Sequence, residues 1–291
     1  MTQVIQIPTL NDSPADFKQM FSIWNRANGY YEDVHFDFSH CGFLRPNAVA
    51  FLGGLARLIV SRNGTVVFDW TTLKNEWVRN TLSQNGFAGA FGRTSSGWTG
   101  HSIPYREDRL RDANGIIDYL EHYWMGRGWV HVSLRLRDAI IGHVWEIYNN
   151  AFEHSGSEIG VFSCGQHFHR QNDLVLTVVD FGLGIPAKVR TFLSSDPRAE
   201  QLPASGCLRW AFQRGNTTKQ DEPGGLGLDL LREFIRLNQG KLEVYSNEGY
   251  AIIQKDGERY ENRDISFEGT VVHITLRCDE KLYHFKDESP F

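Results

Sequence analysis

The N-terminal part of the chain alternates between short apolar runs of period two and longer apolar stripes of period three to four. "QVIQIP", "VHFDFS" and "TVVFDW" read as strands, and "SPADFKQMFSIWNRA" and "PNAVAFLGGLARLIVS" as the helices between them. Ser13 offers an N-cap, with Pro14 at the first helical position and Asp16 in the first turn, and Pro46 suits the first turn of the second helix. The pattern predicts a small α/β unit over residues 1–95.

From about Ser83 to Gly115 the periodicity lapses into "SQNGFAGAFGRTSSGWTGHSIPYRE", rich in Gly, Ser and Thr, and a linker or mobile loop is expected over 96–114. Helical patterns resume in "DANGIIDYLEHYW" and "SLRLRDAIIGHVWEIYNNAFEH". In the second, Leu136, Ile140, Val144, Ile147 and Ala151 recur at three- and four-residue steps and mark a buried stripe. "EIGVFSCG" and "DLVLTVVD" follow as strands, then "GLGLDLLREFIRLNQ" as a helix closed by Gly240, then "KLEVYS", "YAIIQK" and "TVVHITLRC" as strands. Helices beside a mostly antiparallel sheet predict a two-layer α/β sandwich over 115–280, with 281–291 as a C-terminal tail.

Composition narrows the classes. Apolar residues at 41% and charged residues at 22% exclude extensive disorder and a fibrous design. A net charge of −5 gives no general attraction for nucleic acid, and only a local patch around Arg135 and Arg137 runs against it, so no nucleic-acid partner is expected. None of Cys41, Cys164, Cys207 and Cys278 lies at CxxC spacing, which argues against a zinc ribbon or dithiol motif; the first three read as buried small residues. The most apolar segment, "NAVAFLGGLARLIV", is broken by Arg57 and is too short for a bilayer, and "MTQVIQIPTLNDSPADF" lacks a basic start before an apolar core. A cytoplasmic protein with no membrane segment is expected.

Polar chemistry gathers on "EIYNNAFEHS". Glu146 and Asn150 are four apart and share one helix face, with His154 a turn further on. A carboxylate there can orient or deprotonate a nucleophile, and an amide oxygen can hold Mg²⁺; the same pair also occurs on ordinary exposed faces. "VVDFGLGIP" ends an apolar strand in Asp180 and follows it with Gly182 and Gly184, either a simple glycine turn or a place where a ligand meets the backbone. "EPGGLGLDLLREF" puts Gly224, Gly225 and Gly227 ahead of a helix, where free N–H groups favour phosphate, although the Lys-Ser/Thr pair of a Walker loop is missing. Between them "AFQRGNTTKQDEP" carries Arg214 and Lys219, and "FEGTVVHITL" opens a strand with Gly269 and Thr270. "HFHR" alternates His167 and His169 on a strand, as a metal pair or as plain strand-face histidines.

The ordered series E-x-x-x-N-A, D-x-G-x-G, G-x-G-L at a helix start and G-T resembles the Bergerat-fold, or GHKL, ATPases, which include DNA gyrase, the heat-shock chaperone, histidine kinases and mismatch-repair ATPases. The likeness covers roughly Asp118 to Arg277. It implies ATP and Mg²⁺ as cofactors. It makes Asn150 the Mg²⁺-binding asparagine, Glu146 the general base, and Asp180 the partner of the adenine amino group, joined by Thr270 through a water. Gly182 and Gly184 would begin the lid, and Gly225 and Gly227 would meet phosphates at its far hinge. "AFQRGNTTK" is similar to the lid of anti-sigma-factor kinases and histidine kinases, which makes Thr217 and Lys219 secondary phosphate ligands. Pro223 departs from the pattern where many kinases have a glycine.

"FDFSHCGFLRPNAVAFL" resembles the strand-turn-helix signature of STAS domains, with Pro46 where phosphorylated members carry a serine. A docking or sensing module is implied rather than a substrate. No H-E/D-x-x-x-P pattern surrounds His122, His131 or His143, which disfavours autophosphorylating two-component signalling. Two functions follow from these likenesses. One is phosphorylation of a partner protein's Ser or Thr, or ATP hydrolysis; the other is an ATP-gated interaction switch acting on a protein partner or a second copy of the chain.

Overall fold

The computed structural model describes residues 2–94, 100–213, 215–216 and 228–288. The N-terminal α/β unit is present, with β1 (Thr2–Gln6), α1 (Pro14–Ala27), β2 (Asp33–Asp37), α2 (Pro46–Ser61) and β3 (Thr65–Asp69) in succession. The three strands pair in parallel in the order β1-β2-β3. Ser13 caps α1, Pro14 opens it, and Asp16 adds a full capping box to the predicted start. Two short helices follow, α3 (Glu76–Gln84) and α4 (Phe87–Ala90).

The 96–114 segment expected to be a linker contains β4 (Ser102–Asp108), and it is an edge strand of the large sheet. Its register on the neighbouring strand shifts between Ile103 and Arg106. A strand with Pro104, three charged residues and a bulge shows little alternation in sequence, yet an edge position accepts all three features.

Beyond it run α5 (Ala113–Tyr119), a π turn at Leu120–Trp124, and α6 (Leu134–His154). Next come β5 (Val161–Phe168), β6 (Asp173–Asp180), α7 (Ile185–Phe192), α8 (Ala204–Phe212) and α9 (Asp229–Asn238). The chain closes with β7 (Lys241–Ser246), β8 (Gly249–Gln254), β9 (Gly257–Asn262) and β10 (Thr270–Arg277). Seven strands form one antiparallel sheet in the order β4-β5-β6-β10-β7-β8-β9, which puts β6 and β10 side by side near its centre. Helix α9 ends on Gln239, which takes the left-handed conformation one residue before the expected Gly240. The tail expected at 281–291 straps the start of α6: Tyr283 bridges Val132, and the Ser133 hydroxyl donates to Glu288.

Both faces of the central strands of the seven-stranded sheet are buried. On the inner face, Leu136, Ile140, Val144, Ile147 and Ala151 of α6 pack with α9 side chains against Leu176, Val178, Val244 and Ile274, so the predicted stripe is the buried one. On the outer face lies the N-terminal unit, whose helices α1 and α2 share one continuous core with Phe162, Phe181, Tyr245, Phe267 and Val271. Phe17 stacks on Tyr245 with ring centroids 4.1 Å apart, and Phe21 on Phe267 at 4.5 Å. Such aromatic pairs add to the apolar area they remove from water. Arg57, which interrupts the apolar run of α2, is used here as well. It forks onto Glu107 of β4 at 2.9 Å and lies over the Phe91 ring.

Truncating one member of this core should therefore destabilise both parts together. Phe21→Ala is expected to cost about 3–5 kcal/mol and to lower the midpoint of a single calorimetric transition of the whole chain. Two separated transitions, only one of them moved by the substitution, would contradict a shared core.

Candidate functional site

Of the residues singled out from sequence, Asp180, Gly182 and Thr270 meet where β6 ends and β10 begins, beside the C-terminal end of α6. Asp180 is the last residue of β6 and stands in register with Thr270, the first of β10, and with Val161 of β5. Its carboxyl is 5% exposed and accepts from the Gly182 N–H at 3.1 Å; Thr270 also hydrogen-bonds to it. Burial pushes Asp180 up to about 7, against the pull of its bonds from Gly182 and Thr270. A carboxyl is held at the end of a central strand in a place that disfavours its own charge.

The turn after Asp180 is shaped by close approach. The Leu183 N–H donates to the Ser155 carbonyl at 2.7 Å, and a Cβ on Gly182 would overlap that same carbonyl. Gly182 thus lets the strand end dock on the last turn of α6, the helix that carries Glu146 and Asn150. Gly184 precedes α7 with φ of 81°, and the Asn247 side chain closes this turn by donating to the Leu183 carbonyl at 3.1 Å.

Sequence reasoning passed over Ser246, although it ties three parts of the site together. Its hydroxyl donates to the Gly269 carbonyl at 2.9 Å, lies 3.0 Å from the Thr270 hydroxyl, and accepts from the Ile185 N–H at the start of α7. It is fully buried at the end of β7, in a segment that reads only as an alternating strand. Phe181 was likewise unassigned; it is 7% exposed and faces the N-terminal unit.

On α6, Glu146 and Asn150 are both half-buried. Asn149, given no role from sequence, is the more buried amide, and its Oδ1 has no hydrogen-bond partner among the described residues. Thr217, Lys219, Gly225 and Gly227, and with them Arg214 and Pro223, lie outside the described residues.

Arg135 pairs with Asp287 and Arg137 with Asp138, so each cation of that patch has its own carboxylate. His167 meets His101 rather than His169, Nδ1 to Nδ1 at 3.0 Å, and no group of three or more potential metal ligands stands together among the described residues. Cys41, Cys164 and Cys207 are buried free thiols. No helix among the described residues is long and apolar enough to cross a membrane. A buried carboxyl at a strand end, beside the glycine turn and the helix that carries Glu146 and Asn150, offers hydrogen-bonding chemistry at that corner of the sheet.

The raised Asp180 sets a pH signature for the ligand-free protein. From about pH 4 to pH 7 the unfolded chain carries Asp180 ionised while the folded chain keeps its proton, so stability falls over that window and levels off above it. Denaturant unfolding of wild type and Asp180→Asn should therefore diverge progressively between those limits, with the wild type losing ground as pH rises. A difference independent of pH would mean that Asp180 is ionised throughout.

Residues 136–280 match the family described as histidine kinase-, DNA gyrase B- and HSP90-like ATPases. No curated protein matches the chain. The match begins in the first turn of α6, runs through Asp180 and the strands around it, and ends just after β10. The segment from 136 to 280 is thus a GHKL-type, ATP-binding domain of that family.

Proposed function

We propose that this protein is a Mg²⁺- and ATP-dependent regulator that phosphorylates a Ser or Thr of a partner protein, in the manner of anti-sigma-factor kinases, or hydrolyses ATP. The observation that carries the reading is the buried Asp180 carboxyl, held by Gly182 and Thr270 beside the helix of Glu146 and Asn150. Asp180 accepts from the exocyclic amine of adenine, and Thr270 joins it through a water. Asn150 offers its side-chain oxygen to Mg²⁺, a hard cation that favours such ligands. Glu146 takes the proton of the attacking hydroxyl or water. Gly182 and Gly184 begin the lid, with Thr217, Lys219, Gly225 and Gly227 assigned to the phosphates. Bound Mg·ATP supplies the electrophilic γ-phosphoryl group.

A second reading, an ATP-gated interaction switch, is supported by the shared core. The N-terminal unit packs directly on the strand ends that carry Asp180 and Thr270, so a change there reaches its surface. Its strand-helix order supports a STAS-like docking module. Pro46, buried at the first position of α2, has no hydroxyl to accept phosphate, which favours a fixed docking role over that of substrate.

Incubation with Mg²⁺ and γ-labelled ATP, with and without partner proteins, separates the two. The enzyme reading expects label on a partner or as free phosphate, loss of turnover with retained ATP binding in Glu146→Gln, and at least about tenfold weaker binding in Asp180→Asn. Normal ATP binding by both Asp180→Asn and Asn150→Ala would overturn the site. The switch reading expects nucleotide to alter oligomeric state or partner affinity even in Glu146→Gln.

A further inference from the structure

The residue that follows Asp180 does not face the candidate nucleotide site. Phe181 points across the sheet into the N-terminal unit, where its ring centroid lies 5.2 Å from Phe51 of α2 and 6.1 Å from Phe267. Phe267 in turn precedes the Gly269–Thr270 corner and is stacked by Phe21 of α1. The two strand ends that frame Asp180 are thus each followed or preceded by a phenylalanine seated among helices from outside the family-matched segment.

Helix α2 is cut to fit that ring. Phe51 and Gly54 are three residues apart and share a face. A Cβ on Gly54 would overlap the Phe181 ring most closely and the Phe162 ring as well, so the absence of a side chain there leaves room for Phe181 against the helix. A Cβ on the adjacent Gly53 would instead meet Tyr105, on β4, two strands from β6. Interiors this tightly packed transmit a displaced ring to the backbone that carries it.

We propose that α2 of the N-terminal unit is a positioning element of the nucleotide site: Phe51 and the Gly54 notch fix Phe181, and through its peptide link fix where Asp180 presents its carboxyl to adenine. The inference rests on reading Asp180 as the adenine acceptor, and it assigns α2 a part in affinity that the family-matched segment does not contain. Coupling of this kind is reciprocal, so a ligand or protein that shifts α2 changes the affinity for nucleotide, and nucleotide changes the affinity for that partner by the same factor.

Calorimetric titration of the full chain with Mg·ATP and with adenosine tests it. Gly54→Ala is expected to weaken both ligands by the same factor, about tenfold, because the acceptor for the base has moved while the phosphate contacts have not. Gly53→Ala, equally overpacked but against Tyr105, should lower the melting temperature and leave both affinities within about twofold. Phe181→Leu added to Gly54→Ala removes the closest of the new overlaps and should recover part of the loss. Phe51→Leu, a milder change for a chain in which Gly54→Ala does not fold, should weaken both ligands several-fold. Affinities unchanged in Gly54→Ala and Phe51→Leu while wild type binds normally would overturn this inference alone. A wild type that binds neither ligand would overturn the reading of the site along with it.

Discussion

The organisation of this molecule depends on one contact, the aromatic seam between helices α1 and α2 and the outer face of the seven-stranded sheet. A sheet with helices on one side leaves its other face as bare apolar surface, and here that face is covered by Phe17, Phe21 and Phe51 meeting Tyr245, Phe267 and Phe181. Burying whole phenylalanine side chains in this way contributes roughly 1.5–3 kcal/mol each before the entropy of ordering them. The seam makes the N-terminal unit part of the ATPase domain's support rather than a separate bead on a linker.

The candidate site follows from the same constraint. Asp180 and Thr270 end adjacent central strands, and their neighbours Phe181 and Phe267 are anchored on the far side of the sheet while Gly182 docks on Ser155 on the near side. Burial pushes the Asp180 carboxyl up to about 7, and its bonds from Gly182 and Thr270 hold it in place at the strand end. Ser246 supplies the remaining restraint, with three hydrogen bonds that join the Gly269–Thr270 corner to the start of α7.

Much of this was legible in the chain because local signals agreed with the global fold. The Ser13–Pro14–Asp16 start marks α1, the three-and-four spacing marks α6, and the order of Asp180 and Thr270 at strand ends matches two adjacent strands of the sheet. What stayed hidden is long-range. Ser246 reads as a strand residue until β10 is laid beside it, Phe181 reads as any core aromatic, and β4 reads as loop because an edge strand needs no clean alternation. The two glycines of α2 carry no signal of their own in the sequence, and the rings of Tyr105, Phe181 and Phe162 against them leave no space for side chains there. The split at 96–114 followed composition, whereas the cores follow the two faces of one sheet.

The central claim is that nucleotide bound at Asp180 is felt across the sheet. Backbone hydrogen exchange of the whole chain, compared with and without Mg·ATP, tests it most directly. Slower exchange is expected at Phe181–Leu183 and Thr270 together with slower exchange in α2 around Phe51–Leu55, on the opposite face of the sheet from α6. Protection by ATP that spares both strand ends, or reaches them and leaves α2 unchanged, would contradict it.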